Sequence, residues 1–355
     1  MSQIPKISSD NGKKRFIFPL MILVLAGLFL LSISLGSVRI PFSEILNMLL
    51  GKSAEKGAWE IILFEFRIPK AITAILAGAA LATSGLQMQT FFRNPLAGPF
   101  VLGISSGASL GVALLVLAGG LFGLGLTWDT AIGPWLLILA AVAGAATVMS
   151  LILITAIRIR DSMTLLIIGL MFGSATGAIV SVLQYFSDAT QIQAFLIWTF
   201  GSLGNLSWYQ LKVFFPVIFI GLLLCVFLAK PLNALLLGES YAKSMGMRLS
   251  RVRIGIIIST CLLAGGVTAF CGPIAFIGIA VPHLTKAVLP VSDHRKLFPA
   301  VALVGAVVLL VCDMVAQLPG SEQTLPINAV TSLVGAPVVI WVIVRRRTIK
   351  NSMAL

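Results

Sequence analysis

Apolar residues recur in continuous runs of about 20, separated by short basic connectors, and that pattern leaves few folds open. The clearest stretch is 66–109, FRIPKAITAILAGAALATSGLQMQTFFRNPLAGPFVLGISSGAS. Inside hydrocarbon every backbone N–H and carbonyl must be satisfied within the protein, so a spanning chain is helical or a closed barrel. The runs are continuous rather than alternating, which excludes the barrel. With 58% hydrophobic and 10% charged residues among 355, there are too few polar groups to coat soluble domains. The expected fold class is therefore an all-α polytopic membrane protein.

The runs place about ten spans, at 16–35, 68–91, 98–119, 131–157, 162–187, 210–229, 252–271, 273–289, 297–316 and 328–344. Lys13-Lys14-Arg15 before the first run resembles a signal-peptide n-region. That run is too long for an h-region and no A-x-A site follows, so a retained helix is expected. The whole of 1–355 reads as one transmembrane domain, with a short polar tail over 1–15 and one sizeable polar connector at about 231–251. A short apolar piece at 191–201 predicts a half-helix. The segment 42–50 alternates faces as a helix lying on a membrane surface does.

The net charge of +13 is not a nucleic-acid footprint, because the cations sit in connectors. With the N-terminus inside, only Arg39, Lys52, Lys56, Arg67, Lys70 and Lys212 of the 25 Lys and Arg residues fall outside. That asymmetry predicts both termini in the cytoplasm. The basic stretch 345–350 reads as a topology anchor.

Chemistry-bearing motifs are scarce. No Gly-x-x-x-x-Gly-Lys-[Ser/Thr] loop or His-Glu-x-x-His pair occurs, so neither ATP hydrolysis nor intramembrane proteolysis is expected of this chain. Cys225, Cys261, Cys271 and Cys312 fit no zinc or redox spacing and read as small buried residues. His283 and His294 lack partners at metal-ligand spacing, and capping or loop contacts are expected of them. Asp313 lies near one end of a span, where a structural polar contact is expected. An ion-coupled carrier would need more ionisable residues at the midplane than this.

Local patterns do carry structure. Pro69 suits the first turn of a helix, which sets Arg67 and Lys70 on one face at the outer mouth. Pro95 forces Asn94 out of the helical region, so 93–97 is a turn. Gly103, Gly107 and Gly111 repeat a small-xxx-small pattern for close helix contact. In the polar connector, Leu237, Tyr241 and Met245 fall on one helical face, suited to a groove in a partner, and Gly246 caps the short helix. GPFVLGIS after Ala97 and GPIAFIGIA after Cys271 hint at an internal repeat.

From about residue 66 to 347 the chain resembles the FecCD family, the permease subunits of ABC importers for iron–siderophore, haem and cobalamin complexes. The resemblance rests on Arg67-x-Pro69-Lys70, on Arg93-Asn94-Pro95-Leu96-Ala97, and on Gly238-Glu239-x-x-Ala242-x-x-x-Gly246. It implies the type II ABC importer permease fold, with helices two to five related to seven to ten by a pseudo-twofold. It implies partners as well: cytoplasmic ABC ATPase subunits, an extracytoplasmic substrate-binding protein and a second permease chain, with a homodimer expected, all at a bacterial cytoplasmic membrane. No cofactor and no resident metal is implied.

By the same resemblance, Gly238, Glu239, Tyr241, Ala242 and Gly246 couple to the ATPase. Arg67 and Lys70 dock the binding protein, and Asn94, Leu96 and Ser162 form the cytoplasmic gate. Lys70 stands where the family carries a second arginine, and Gln317 where some members carry another. The expected cargo is an iron chelate of siderophore type, with cobalamin or haem as the alternatives.

Overall fold

The computed structural model describes residues 11–119, 133–158, 162–317 and 324–352, and every regular element within them is helical. Among the described residues seven helices are long and apolar enough to cross a bilayer. Three shorter apolar ones complete the expected ten.

In chain order, α1 (Asn11–Ser34) is followed by the amphipathic α2 (Phe42–Leu49). Next come α3 (Gly57–Phe91) and α4 (Ile104–Ala118), then α5 (Gly133–Arg158) and α6 (Ser162–Tyr185). The half-helix α7 (Ala189–Thr199) leads to α8 (Trp208–Leu237), and α9 (Glu239–Ser244) is a single short turn of helix. Finally α10 (Leu249–Cys271), α11 (Ile277–Val288), α12 (His294–Ala316) and α13 (Ile327–Ser352) close the bundle.

Three boundaries differ by eight residues or more from the hydropathy reading, one being the end of α13, which runs to Ser352 rather than stopping near 344. α3 begins at Gly57 rather than near 68, because Glu60 lies in its first turn and the π-helical stretch Ile62–Arg67 carries the helix on through Glu65. The Trp208 indole donates to the Phe64 carbonyl at 2.8 Å and holds this stretch in place. α8 runs to Leu237, past Lys230-Pro231, which reads as a stop signal in sequence. The connector expected over about 231–251 is therefore helical for most of its length. A proline removes one N–H, but a helix packed on its neighbours tolerates the loss, as at Pro216 in the same helix.

Packing follows small residues, since lipid tails are as apolar as leucine and close backbone contact must supply the attraction. On α3, a Cβ added at Gly78 would overlap the Gly305 carbonyl of α12, and one at Gly85 the Gly278 carbonyl of α11. Gly107 and Gly111 of α4 meet Gly144 and Ala140 of α5 in the same way. α3 thus packs chiefly on α11 and α12 from the later part of the chain, while α10 packs on α4 and α5 from the earlier part. The crossed arrangement fits the hint of repetition. Gly98-Pro99 and Gly272-Pro273 each precede a helix whose N-cap is left-handed, Gly103 at φ 69° and Phe276 at φ 65°.

A buried polar knot pins three helices together. Gln87 of α3 donates to Cys225 Sγ of α8 at 3.0 Å and to Ser259 Oγ of α10 at 3.2 Å, and Thr260 donates back to its carbonyl oxygen at 3.2 Å. Among the described residues all four cysteines are unbridged, Cys225, Cys271 and Cys312 buried and Cys261 partly so.

Candidate functional site

Past the end of α8 the chain forms a short, partly exposed segment. Gly238 ends the helix at φ 125° and ψ 148°, a conformation closed to residues with a Cβ. The chain turns there into α9. Ala242 is fully buried and anchors the short helix. Glu239 accepts from Arg253 Nη2 of α10 on both carboxylate oxygens, at 3.0 and 3.2 Å. Gly246 at φ 79° reverses the chain, with its N–H on the Lys243 carbonyl at 2.9 Å. The exposed residues mix apolar Leu237, Tyr241 and Met245, at 67%, 49% and 64%, with Ser240, Lys243, Ser244 and Arg248. The spacing predicts these three apolar residues on one helical face, but the break at Gly238 leaves Leu237 on α8, Tyr241 on α9 and Met245 at its C-cap. The sequence does not reveal that Glu239 is spent on an internal ion pair.

The 93–97 turn lies beside this segment. Asn94 Oδ1 accepts the Leu96 N–H at 2.9 Å, the local side-chain turn that Asn favours before Pro. His283 Nε2 pairs with the Pro95 carbonyl at 2.8 Å, a loop contact of the kind expected. Arg93 has φ 48° and donates through Nη2 to the Leu235 carbonyl at 3.0 Å. Leu96 is 39% exposed. Ser162 opens α6, but its side chain and all of Arg160 and Asp161 lie outside the described residues.

His294 belongs to a second network at this end. It pairs with Asn233 Oδ1 of α8 through Nδ1 at 2.7 Å and with Thr90 Oγ1 of α3 through Nε2 at 2.9 Å. Asn233 also donates to Asp293 Oδ1 at 2.6 Å. That bond, with the Arg295 N–H, holds the Asp293 carboxyl below its usual range. Among the described residues no group of His, Cys, Asp and Glu could hold a metal ion.

At the opposite end both candidate docking cations have partners inside the chain. Arg67 Nη1 donates to the Ile33 and Ser34 carbonyls at 2.9 and 3.1 Å, and Nη2 donates to the Val38 carbonyl. Its guanidinium therefore caps the carbonyl end of α1. Lys70 Nζ lies 3.1 Å from Asp313 Oδ1, which is 3% exposed, and Gln317 Nε2 donates to Oδ2 at 2.9 Å. Asp313 is thus the structural contact expected. A cavity of about 410 Å³ opens beside the pair, lined by Lys70, Asp313, Ser202, Asn205 and the start of α13. A smaller one borders Arg67, Lys70 and Gln317 together. The two cations share a mouth, as predicted, but neither stands free there.

The profile of the FecCD transport family matches residues 22–345. The chain belongs to the FecCD transport family. The vitamin B12 import system permease protein BtuC of Klebsiella pneumoniae is 35% identical over 338 residues, 95% of this chain and 96% of that protein. BtuC of Citrobacter koseri is 35% identical over 317 residues, 88% and 93% of the two chains. A solved structure described as an inward-facing conformation of a metal-chelate type ABC transporter superposes with a TM-score of 0.79 at 28% identity. It covers 92% of this chain and 99% of its own. This FecCD-family chain is an ABC importer permease with the type II fold, all-helical among its described residues.

Proposed function

We propose that this permease passes an intact cobalamin-type chelate across the bacterial cytoplasmic membrane, driven by a separate ATPase and supplied by an extracytoplasmic binding protein. The observation that carries this reading is the agreement of the relatives: those at 34–35% identity over 88–95% of the chain are vitamin B12 import permeases. The siderophore cargo expected from the family at large becomes the second reading, supported by the likeness to a metal-chelate type transporter.

In this reading two copies of the chain form the pathway, with both termini in the cytoplasm on the side of the basic connectors. The exposed Leu237, Tyr241 and Met245 enter a groove on the ATPase. Gly238, Ala242 and Gly246 shape the segment, and Glu239 fixes its angle through Arg253. Asn94 and Leu96 form the gate with the start of α6 at Ser162. Arg67 and Lys70 supply positive potential at the outer mouth for an acidic binding protein, drawing it in without a fully free cation. The chain's own role is binding, shape and motion, and hydrolysis falls to the partner.

The test is co-purification with the co-encoded ATPase and binding protein, then ATP-driven uptake into proteoliposomes. Cyanocobalamin, a ferric siderophore and haem are compared. Uptake of cyanocobalamin alone supports the reading; uptake of the siderophore alone replaces the cargo. Absence of any ATPase from the purified assembly refutes the importer itself.

A further inference from the structure

One side chain joins the 93–97 turn to the segment that follows α8. Arg93 sits at φ 48°, a region that residues with a Cβ avoid because it crowds the following carbonyl. Glycine would occupy that backbone without strain, so the chain keeps a side chain there against local preference. Its guanidinium reaches across to α8 and donates to the Leu235 carbonyl at 3.0 Å.

That carbonyl belongs to the last turn of α8, where intrahelical partners run out. It also accepts the Gly238 N–H at 3.1 Å. Arg93 therefore places a cation at the negative end of a 30-residue helix. Arg93 Nη2 would lie only 3.6 Å from a Cβ at Gly238, so the guanidinium is packed against the residue that launches α9. On its other side the turn is held by His283 on the Pro95 carbonyl and by Gln89 Nε2 on the Ile279 carbonyl at 3.1 Å.

We propose that Arg93 is a positioning residue that transmits displacement of α9 to the 93–97 turn. α9 has two arginine ties: Arg253 fastens it to α10 through Glu239, and Arg93 fastens the helix end just before it to α3. A push on the exposed face of α9 moves the end of α8. The guanidinium is rigid and planar, and Asn94 is the next residue after it, so the turn moves with it. The proposal rests on the reading of α9 as the ATPase-facing element.

Arg93→Gly is the informative variant because it removes the strut while relieving the backbone. Arg93→Lys keeps the cation with a single donor and tests rescue. Spin labels carried by noncanonical residues at positions 243 and 96 report the distance between α9 and the turn, with and without a non-hydrolysable ATP analogue, in the permease–ATPase complex.

With Arg93 in place the two labels move together and their separation holds, and uptake is measured in parallel on chains that carry no label. In Arg93→Gly the thermal midpoint and ATP hydrolysis are retained, the separation changes with nucleotide, and cyanocobalamin uptake per ATP falls roughly tenfold, the share of one charge-assisted hydrogen bond. Arg93→Lys is intermediate. Should Arg93→Gly lower the midpoint, Arg93→Lys carries the same distance measurement in a folded protein. A separation that holds in the variants, or uptake per ATP unchanged, overturns the role of Arg93. If the unmodified chain binds no ATPase, the underlying reading falls instead. The distance arm needs no cargo, so a wrong cargo cannot be mistaken for either result.

Discussion

Removing one partner of the Lys70–Asp313 pair has a sign and a size that the surroundings dictate. At 3.1 Å, two unit charges attract by about 5 kcal/mol at an effective dielectric of 20. The side chains are not equally placed: Lys70 is 22% exposed and Asp313 3%. Lys70→Ala strands the buried carboxylate with only Gln317 as donor, which costs about 3–5 kcal/mol. Asp313→Asn leaves an acceptor for Lys70, whose ammonium also reaches the open cavity, and costs about 1–2 kcal/mol. The double change Lys70→Met with Asp313→Leu removes both charges and lies within about 1 kcal/mol of the unmodified chain. Denaturant unfolding in mild detergent, read out by tryptophan fluorescence, gives all three values and their coupling. Equal costs for the two single variants would refute the argument from burial. A double variant as unstable as Lys70→Ala would show that the cavity wall, rather than the charge, governs this site.

Three further outcomes are expected. Gly85→Ala drives a methyl into the Gly278 carbonyl, and a loss of roughly 1–3 kcal/mol follows unless α3 and α11 separate; an unchanged unfolding midpoint would mean the helices lie further apart. Tyr241→Ala with Met245→Ala removes apolar surface that is half or more exposed, so ATPase affinity falls by more than the midpoint of the isolated permease, checked by titration of the ATPase. Arg67→Gln frees the end of α1 from its carbonyl cap and reduces positive potential at the outer mouth; the 35–41 segment becomes more sensitive to protease, and binding-protein affinity falls mainly at low salt. Normal affinity at low salt would leave Arg67 as a cap only.

Much of this was legible in the chain because lipid permits so little. A run such as LILAAVAGAATVMSLILIT can satisfy its backbone only as a helix, so α5 is recoverable from hydropathy alone. The amphipathic α2 follows from spacing. What stayed hidden is of two kinds. Charged residues near the interface concealed helix: Glu60 sits in the first turn of α3 and Glu65 and Arg67 on its π-helical stretch, though all three look like connector, and Lys230-Pro231 conceals the last turns of α8. Partners distant in sequence leave no local trace. Nothing around Arg67 announces that its ligands are backbone carbonyls of α1, and nothing at Asp313 points to Lys70. Even Glu239 and Arg253, 14 residues apart, meet only because the chain folds back at Gly246. Residue types along a span reveal what can be buried, whereas the choice of partner belongs to the packing.

The packing also decides which parts of the permease are able to move. In α3, 83% of the most apolar window is buried, and in α10, 72%. α3 is seated on α11 and α12 through contacts at Gly78 and Gly85 that admit no added carbon. Sliding α3 against α12 would force Gly78 and Gly305 past neighbours that carry a Cβ, and sliding it against α8 and α10 would break the Gln87 knot. α3 is therefore held with α11 and α12. α6 is the counterpart, with 22% of its window buried and Ser174, Gly177 and Ser181 on an exposed face. The Ser174 and Ser181 hydroxyls donate to carbonyls four residues back, so that face is polar without demanding a fixed partner. Displacement breaks fewest contacts along α1 and α6, with 11% and 22% of their apolar windows buried.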